Sequence, residues 1–158
     1  MALSHNEFML RAIELAQQGI DQDQGGPFGC VIVNDGRIIG EGCNQVTSTN
    51  DPTAHAEIVA IREACRSLGS FQLAGSIVYT SCEPCPMCLG AIYWARPDAI
   101  YFAGTREDAA AAGFDDDLFY SELEKPNEAR QLQMTNIMRD EADRVFNNWL
   151  NKSDKTQY

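Results

Sequence analysis

His55, Cys85 and Cys88 are the residues of this chain whose types and setting could hold a transition metal; they stand in His55-Ala56-Glu57 and Pro84-Cys85-Pro86-Met87-Cys88. One imidazole and two thiolates suit zinc, and three protein ligands rather than four leave a position for water, which is the mark of a catalytic site. Cys85 and Cys88 lie three apart at a predicted helix start. Both sulfurs therefore face one side, near free backbone N–H groups and the positive dipole end, where thiolates are favoured. His55 and Glu57 are two apart and diverge on a helix barrel, so they converge only on something lying off its N-terminal end. The spacing predicts two helices that point their N-termini at one metal. Glu57 is then an unligated carboxylate beside a water whose pKa zinc lowers toward about 7, able to take its proton and deliver it to a substrate.

Alone, C-x-x-C is equally a packing pair, a redox pair or half of a structural zinc site. With H-x-E upstream and Pro before the first Cys, the combined string is that of zinc deaminases. Cys82 as a fourth ligand would close the zinc and make it structural. It is read as a non-ligand, because Pro84 separates it from the helix and it sits where a strand ends. Cys30, Cys43 and Cys65 have no partner spacing and read as small buried hydrophobes.

The elements that must position these residues follow from punctuation and periodicity. Ser4 with Glu7 has the form of a capping box ahead of Phe8, Ile13, Leu15 and Ala16, predicting a helix over 4–19. The run Phe28 to Val33 and then Ile38-Ile39 flank Asn34-Asp35-Gly36-Arg37, which reads as two strands around an Asp-Gly turn. Residues 44–50 read as a loop. Asp51-Pro52 opens a helix over 54–68 that Gly69 ends. Residues 76–80 and 99–103 read as strands, with a helix between them that begins at Pro84 and Pro86 and ends before Pro97. That crossover lets the last two strands run parallel, giving α/β layers rather than a meander. Residues 107–112, 116–123 and 140–150 are further helical candidates.

A length of 158 residues suits one domain, and 44% apolar with 22% charged residues excludes a disordered chain. The net charge of −11 lacks the cationic surplus that a long nucleic-acid partner requires. No apolar run approaches the roughly 18 residues of a membrane span. Glu7, Arg11 and Glu14 interrupt what a signal peptide would keep apolar, so the expectation is a cytoplasmic protein whose cysteines serve metal or catalysis.

These residues resemble the cytidine deaminase-like superfamily and, within it, the small bacterial guanine deaminases. The resemblance runs through Gly25-Gly26-Pro27-Phe28-Gly29, Asn50 to Glu57, Tyr79 to Cys88, Trp94-Ala95-Arg96-Pro97 and Ala112-Gly113-Phe114-Asp115-Asp116, nearly the whole chain. H-x-E with P-C-x-x-C is specific to the superfamily only; the Gly113 to Asp116 string and the terminal tyrosine point to guanine. The resemblance implies an α/β fold, a three-layer α/β/α sandwich around a five-stranded mixed sheet, as a single zinc domain over 1–158. It implies hydrolysis of guanine to xanthine and ammonia with one zinc per chain, held by His55, Cys85 and Cys88. Glu57 would be the main proton shuttle and Asp116 a second acid near the leaving amino group. Phe28, Asn44, Ala54, Trp94 and Tyr158 would contact the purine. The family also implies a homodimer, in which a C-terminal segment of about 126–158 caps the site or crosses to the partner.

Without the resemblance, Phe28 and Trp94 read as core aromatics, Asn44 as a turn residue and Asp115 to Asp117 as a solvated acidic run. Guanosine, cytosine and tRNA adenosine deaminases are the enzymatic alternatives, the last disfavoured by the charge. A zinc-stabilised binding module is the alternative from another class; it requires Cys82 on the metal and gives Glu57 no role.

Overall fold

A computed structural model describes residues 4–158. The chain falls into two compact units, one running up to Asp116 and one from Asp117 to Tyr158.

The first unit opens with α1 (His5–Asp21), started by Ser4: its hydroxyl accepts from the Glu7 N–H, while Glu7 accepts from the Ser4 N–H at 2.7 Å. This reciprocal cap satisfies donors that a helix start leaves open. Next come β1 (Gly29–Asn34) and β2 (Arg37–Cys43), joined through Asp35 and Gly36, both at positive φ as a tight hairpin demands. The short α2 (Val46–Thr49) interrupts the stretch expected to be a loop. It forms because the Thr49 N–H and hydroxyl both bond the Gln45 carbonyl and Asn50 ends the turn in the left-handed region. Then follow α3 (Ala56–Leu68), β3 (Ser76–Cys82), α4 (Pro86–Ala95), β4 (Ala99–Gly104) and α5 (Arg106–Ala111).

The sheet order is β2-β1-β3-β4, with β1 antiparallel to both β2 and β3, and β3 parallel to β4 across α4. The sheet is mixed, as expected, but has four strands rather than five. After β4 the chain turns into helices, and among the described residues the irregular stretch at 133–138 joins no ladder.

Alternation along β1 sends Val31 and Val33 to one core with Phe8, Ala12 and Leu15 of α1, and Cys30 and Ile32 to another with α3 and α4. On that second face α3 lies very close to β2. Ala56, Ala60 and Ala64 recur every four residues and are fully buried, and they meet glycines. A Cβ at Gly42 would stand 2.4 Å from the Ala56 carbonyl oxygen, and one at Gly40 would stand 2.5 Å from that of Ala60. Small residues on both sides thus set the depth at which the N-terminus of α3 rests on the sheet.

The second unit holds α6 (Asp117–Leu123), a 3-10 turn (Asn127–Ala129) and α7 (Arg139–Asn151). Glu122 organises its middle: its carboxylate takes Lys125 and the Gln131 N–H, and its carbonyl takes the Arg130 guanidinium.

Gly42→Ala should cost about 2–3 kcal/mol in urea unfolding, because the obstructing atom is backbone and cannot yield. Gly90→Ala, on an exposed face of α4 with nothing within 4 Å of the added carbon, should instead stabilise by about 0.5–1 kcal/mol.

Candidate active site

Two helix N-termini meet on the α3/α4 side of the sheet. His55 is the N-cap residue of α3 and Cys85 that of α4, each with extended backbone and neither using its side chain to cap its own helix. The loop before His55 is fixed by Asp51, whose carboxylate accepts from the Thr53 N–H at 2.8 Å and the Thr53 hydroxyl at 2.7 Å. Pro86 at the first helical position presets α4, so that Cys85 and Cys88 open it on one side.

The side chains converge. His55 Nδ1 stands 3.5 Å from Cys85 Sγ and 3.5 Å from Cys88 Sγ, and all three donor atoms lie within 4.8 Å of one another. Zinc bonds of about 2.3 Å to sulfur and 2.05 Å to nitrogen at a tetrahedral angle put S and N about 3.5 Å apart, so the triad has the span and the donor chemistry of a zinc site. The thiols share a proton: the hydrogen bond from Cys88 holds Cys85 down to about 4, while Cys88 is pushed far up by that same bond and by burial. His55 is raised, chiefly by its hydrogen bond to Cys85.

Cys82 stands outside this group. Its thiol donates to the Thr105 carbonyl at 3.4 Å, and burial lifts it to about 11. Among the described residues the cluster therefore offers three protein donors.

Glu57, in the first turn of α3, is only 6% exposed. Its Oε1 accepts from the Thr80 hydroxyl at 3.1 Å. Burial raises its pKa, with hydrogen bonding to the carboxylate opposing.

Asn44 is buried beside this region. Its Oδ1 accepts from the Gly26 and Val46 N–H groups, both at 3.2 Å, which fixes the amide and leaves its NH2 as the half that no described residue engages. Gly25 is required here, since a Cβ would fall 2.3 Å from that Oδ1. Phe28 is half-buried and meets Phe114 edge to face at 5.0 Å. Half-buried Asp116 follows two residues later and closes the first unit. Both backbone groups of Ala54 bond within the loop, its N–H to the Asp51 carbonyl and its carbonyl to the Gln45 N–H, and its side chain is a methyl. Trp94 lies six residues beyond Cys88, roughly 9 Å along the axis of α4, and is 65% exposed. Tyr158 is exposed at the end of the second unit.

A family model described as the cytidine and deoxycytidylate deaminase zinc-binding region matches residues 3–104. The chain belongs to that zinc-binding deaminase family. It is 53% identical to the guanine deaminase of Bacillus subtilis over 99% of its own length and 100% of the other's. The X-ray structure of guanine deaminase from that organism superposes with a TM-score of 0.96 over 99% of both chains. A guanine deaminase from Nitrosomonas europaea matches at 28% identity and a TM-score of 0.70 over 94% of this chain and 86% of that one. The tRNA-specific adenosine deaminase of Buchnera aphidicola is 37% identical over 78% of this chain and 79% of its own.

Thr80 and Phe114, which buttress Glu57 and Phe28, were not singled out as site residues by the sequence reading. The only signal for Phe114 was its place in the Gly113 to Asp116 string. Thr80 had only its place in the Tyr79 to Cys88 stretch, because a strand threonine looks like any β-former until a carboxylate 23 residues upstream is folded over it.

Metal analysis of purified variants should separate an open family site from a closed one. Cys85→Ala and Cys88→Ala should lose bound zinc, while Cys82→Ala should keep one zinc per chain. Zinc loss in Cys82→Ala would mean that a third sulfur is needed.

Proposed function

We propose that this chain is a zinc-dependent guanine aminohydrolase, which converts guanine and water to xanthine and ammonia. The observation that carries the reading is the buried carboxylate of Glu57, bonded to Thr80 beside a three-donor set of one nitrogen and two sulfurs. Full-length identity of 53% to a guanine deaminase supports the choice of base.

Held by His55, Cys85 and Cys88, one zinc per chain would supply the Lewis acidity that brings a water near neutral pKa. Glu57 takes the proton that the attacking water gives up and passes it to the ring nitrogen beside the carbon bearing the amino group. Burial raises its pKa, which suits a group that must both accept and return a proton. Asp116 carries the remaining proton of that water, from the hydroxyl formed on the ring carbon, to the amino nitrogen; the C–N bond breaks, ammonia leaves, and the carbon keeps the water oxygen as a carbonyl in place of the exocyclic nitrogen. Asn44 donates from its NH2 to an acceptor on the purine edge. Phe28, propped by Phe114, and the Ala54 methyl form the wall.

Trp94 and Tyr158 serve the site in a homodimer whose C-terminal segments are exchanged. What supports a second copy is uncovered apolar surface. Leu132, Ile137, Val145, Phe146 and Leu150 are exposed in the C-terminal unit, and Tyr93, Trp94, Tyr101 and Phe102 in the first. The working compartment is the cytoplasm, in keeping with six cysteines that are all free thiols. Among the described residues no helix is long and apolar enough to cross a membrane. A net charge of −11 favours a small base over a tRNA.

Zinc-loaded protein should release xanthine and ammonia from guanine in preference to guanosine, adenine or cytosine. Glu57→Gln should lower kcat by roughly 10²–10⁴ while keeping its zinc, the range that loss of a positioned acid–base group gives. Full activity in that variant would remove the shuttle. Sedimentation should return about twice the 17.5 kDa chain mass.

A further inference from the structure

Thr80 is buried to 1% exposure on β3, where it pairs with Cys30 of β1 and Phe102 of β4. A hydroxyl taken so far from water requires a partner, and its partner is Glu57 Oε1 at 3.1 Å. The bond ties one oxygen of the carboxylate to the strand and leaves the other oxygen outside it.

We infer that Thr80 is a positioning residue for the deamination, its hydroxyl holding Oε1 of Glu57 so that the other carboxylate oxygen is reserved for the travelling proton. The inference rests on the reading of Glu57 as the proton shuttle and deepens it. Thr80 needs no contact with the purine. The strand supplies a rigid base for the bond, whereas Glu57, with three side-chain torsions and no bulk water around it, would otherwise settle in several orientations. Misplacing a catalytic group by about 1 Å can cost on the order of 10²-fold, so the effect belongs in kcat.

The test uses the zinc-loaded full chain with guanine as substrate and compares Thr80→Val, Thr80→Ala and Thr80→Ser, with zinc content and kcat and KM measured separately. Thr80→Val keeps shape and strand preference and removes only the hydroxyl. It should lose roughly 10–100-fold in kcat, with KM within about twofold and one zinc per chain retained. Thr80→Ala carries the same expectation and reads the role should the valine variant fail to fold. Thr80→Ser should restore most of the rate, and adding Thr80→Val to Glu57→Gln should cost nothing further. Undiminished kcat in Thr80→Val, or equal losses in the valine and serine variants, would overturn the positioning role. If Glu57→Gln is inactive in that same experiment, the shuttle stands without it. If Glu57→Gln is active as well, both readings fall.

Discussion

The site depends on how closely α3 can lie against β2. Gly40 and Gly42 leave no side chain on the strand, and Ala56, Ala60 and Ala64 leave little on the helix, so backbone meets backbone. Such an interface has few soft atoms and one depth of approach. The N-terminus of α3 therefore ends at a defined place over the sheet, with His55 just outside the helix and Glu57 just inside it. Across from it, the crossover between β3 and β4 begins α4 at Cys85. The 3.5 Å separations among imidazole and thiols are the outcome of these two placements.

Burial does two kinds of chemistry here. It makes an ionised carboxylate costly, which raises the pKa of Glu57 above the ordinary carboxylate value. It also makes each donor to that carboxylate count for more than it would in water. The thiols are governed differently. They sit at a helix start and hydrogen-bond each other, so one proton is shared and Cys85 is already held down to about 4. Cys82, a short distance along the chain, lacks that environment and is pushed to about 11 with its thiol turned to a carbonyl. Three sulfurs close in sequence are thus sorted into two that converge with His55 and one that stands apart.

Much of this arrangement was legible from residue types and spacing. Ser4 with Glu7, Asp35-Gly36 and Pro86 each act through neighbours a few residues away, so the helix starts and the hairpin could be placed. The convergence of His55 with Cys85 and Cys88 was legible for a geometric reason: residues two apart at a helix start can share only a target beyond the helix end. What could not be read depends on partners distant in sequence. The fifth strand was implied by the resemblance alone, whereas the residue pattern predicted four strands, and four are present. Thr80 became visible only once Glu57 was folded above it, and Phe114 took its place beside Phe28 through tertiary packing. The short α2 depends on hydroxyl bonds back to Gln45, which polar composition alone describes equally well as a loop.

The central claim is that the metal has three protein ligands and one exchangeable solvent position. X-ray absorption on the zinc-loaded protein tests it most directly, because sulfur and lighter ligands differ in distance and in number. The account predicts two sulfurs at about 2.3 Å and two nitrogen or oxygen atoms at about 2.0–2.1 Å, of which one shows the scattering of an imidazole. A shell of three sulfurs and one imidazole would contradict it: the zinc would then be closed by protein, and Glu57 would have no water to act on.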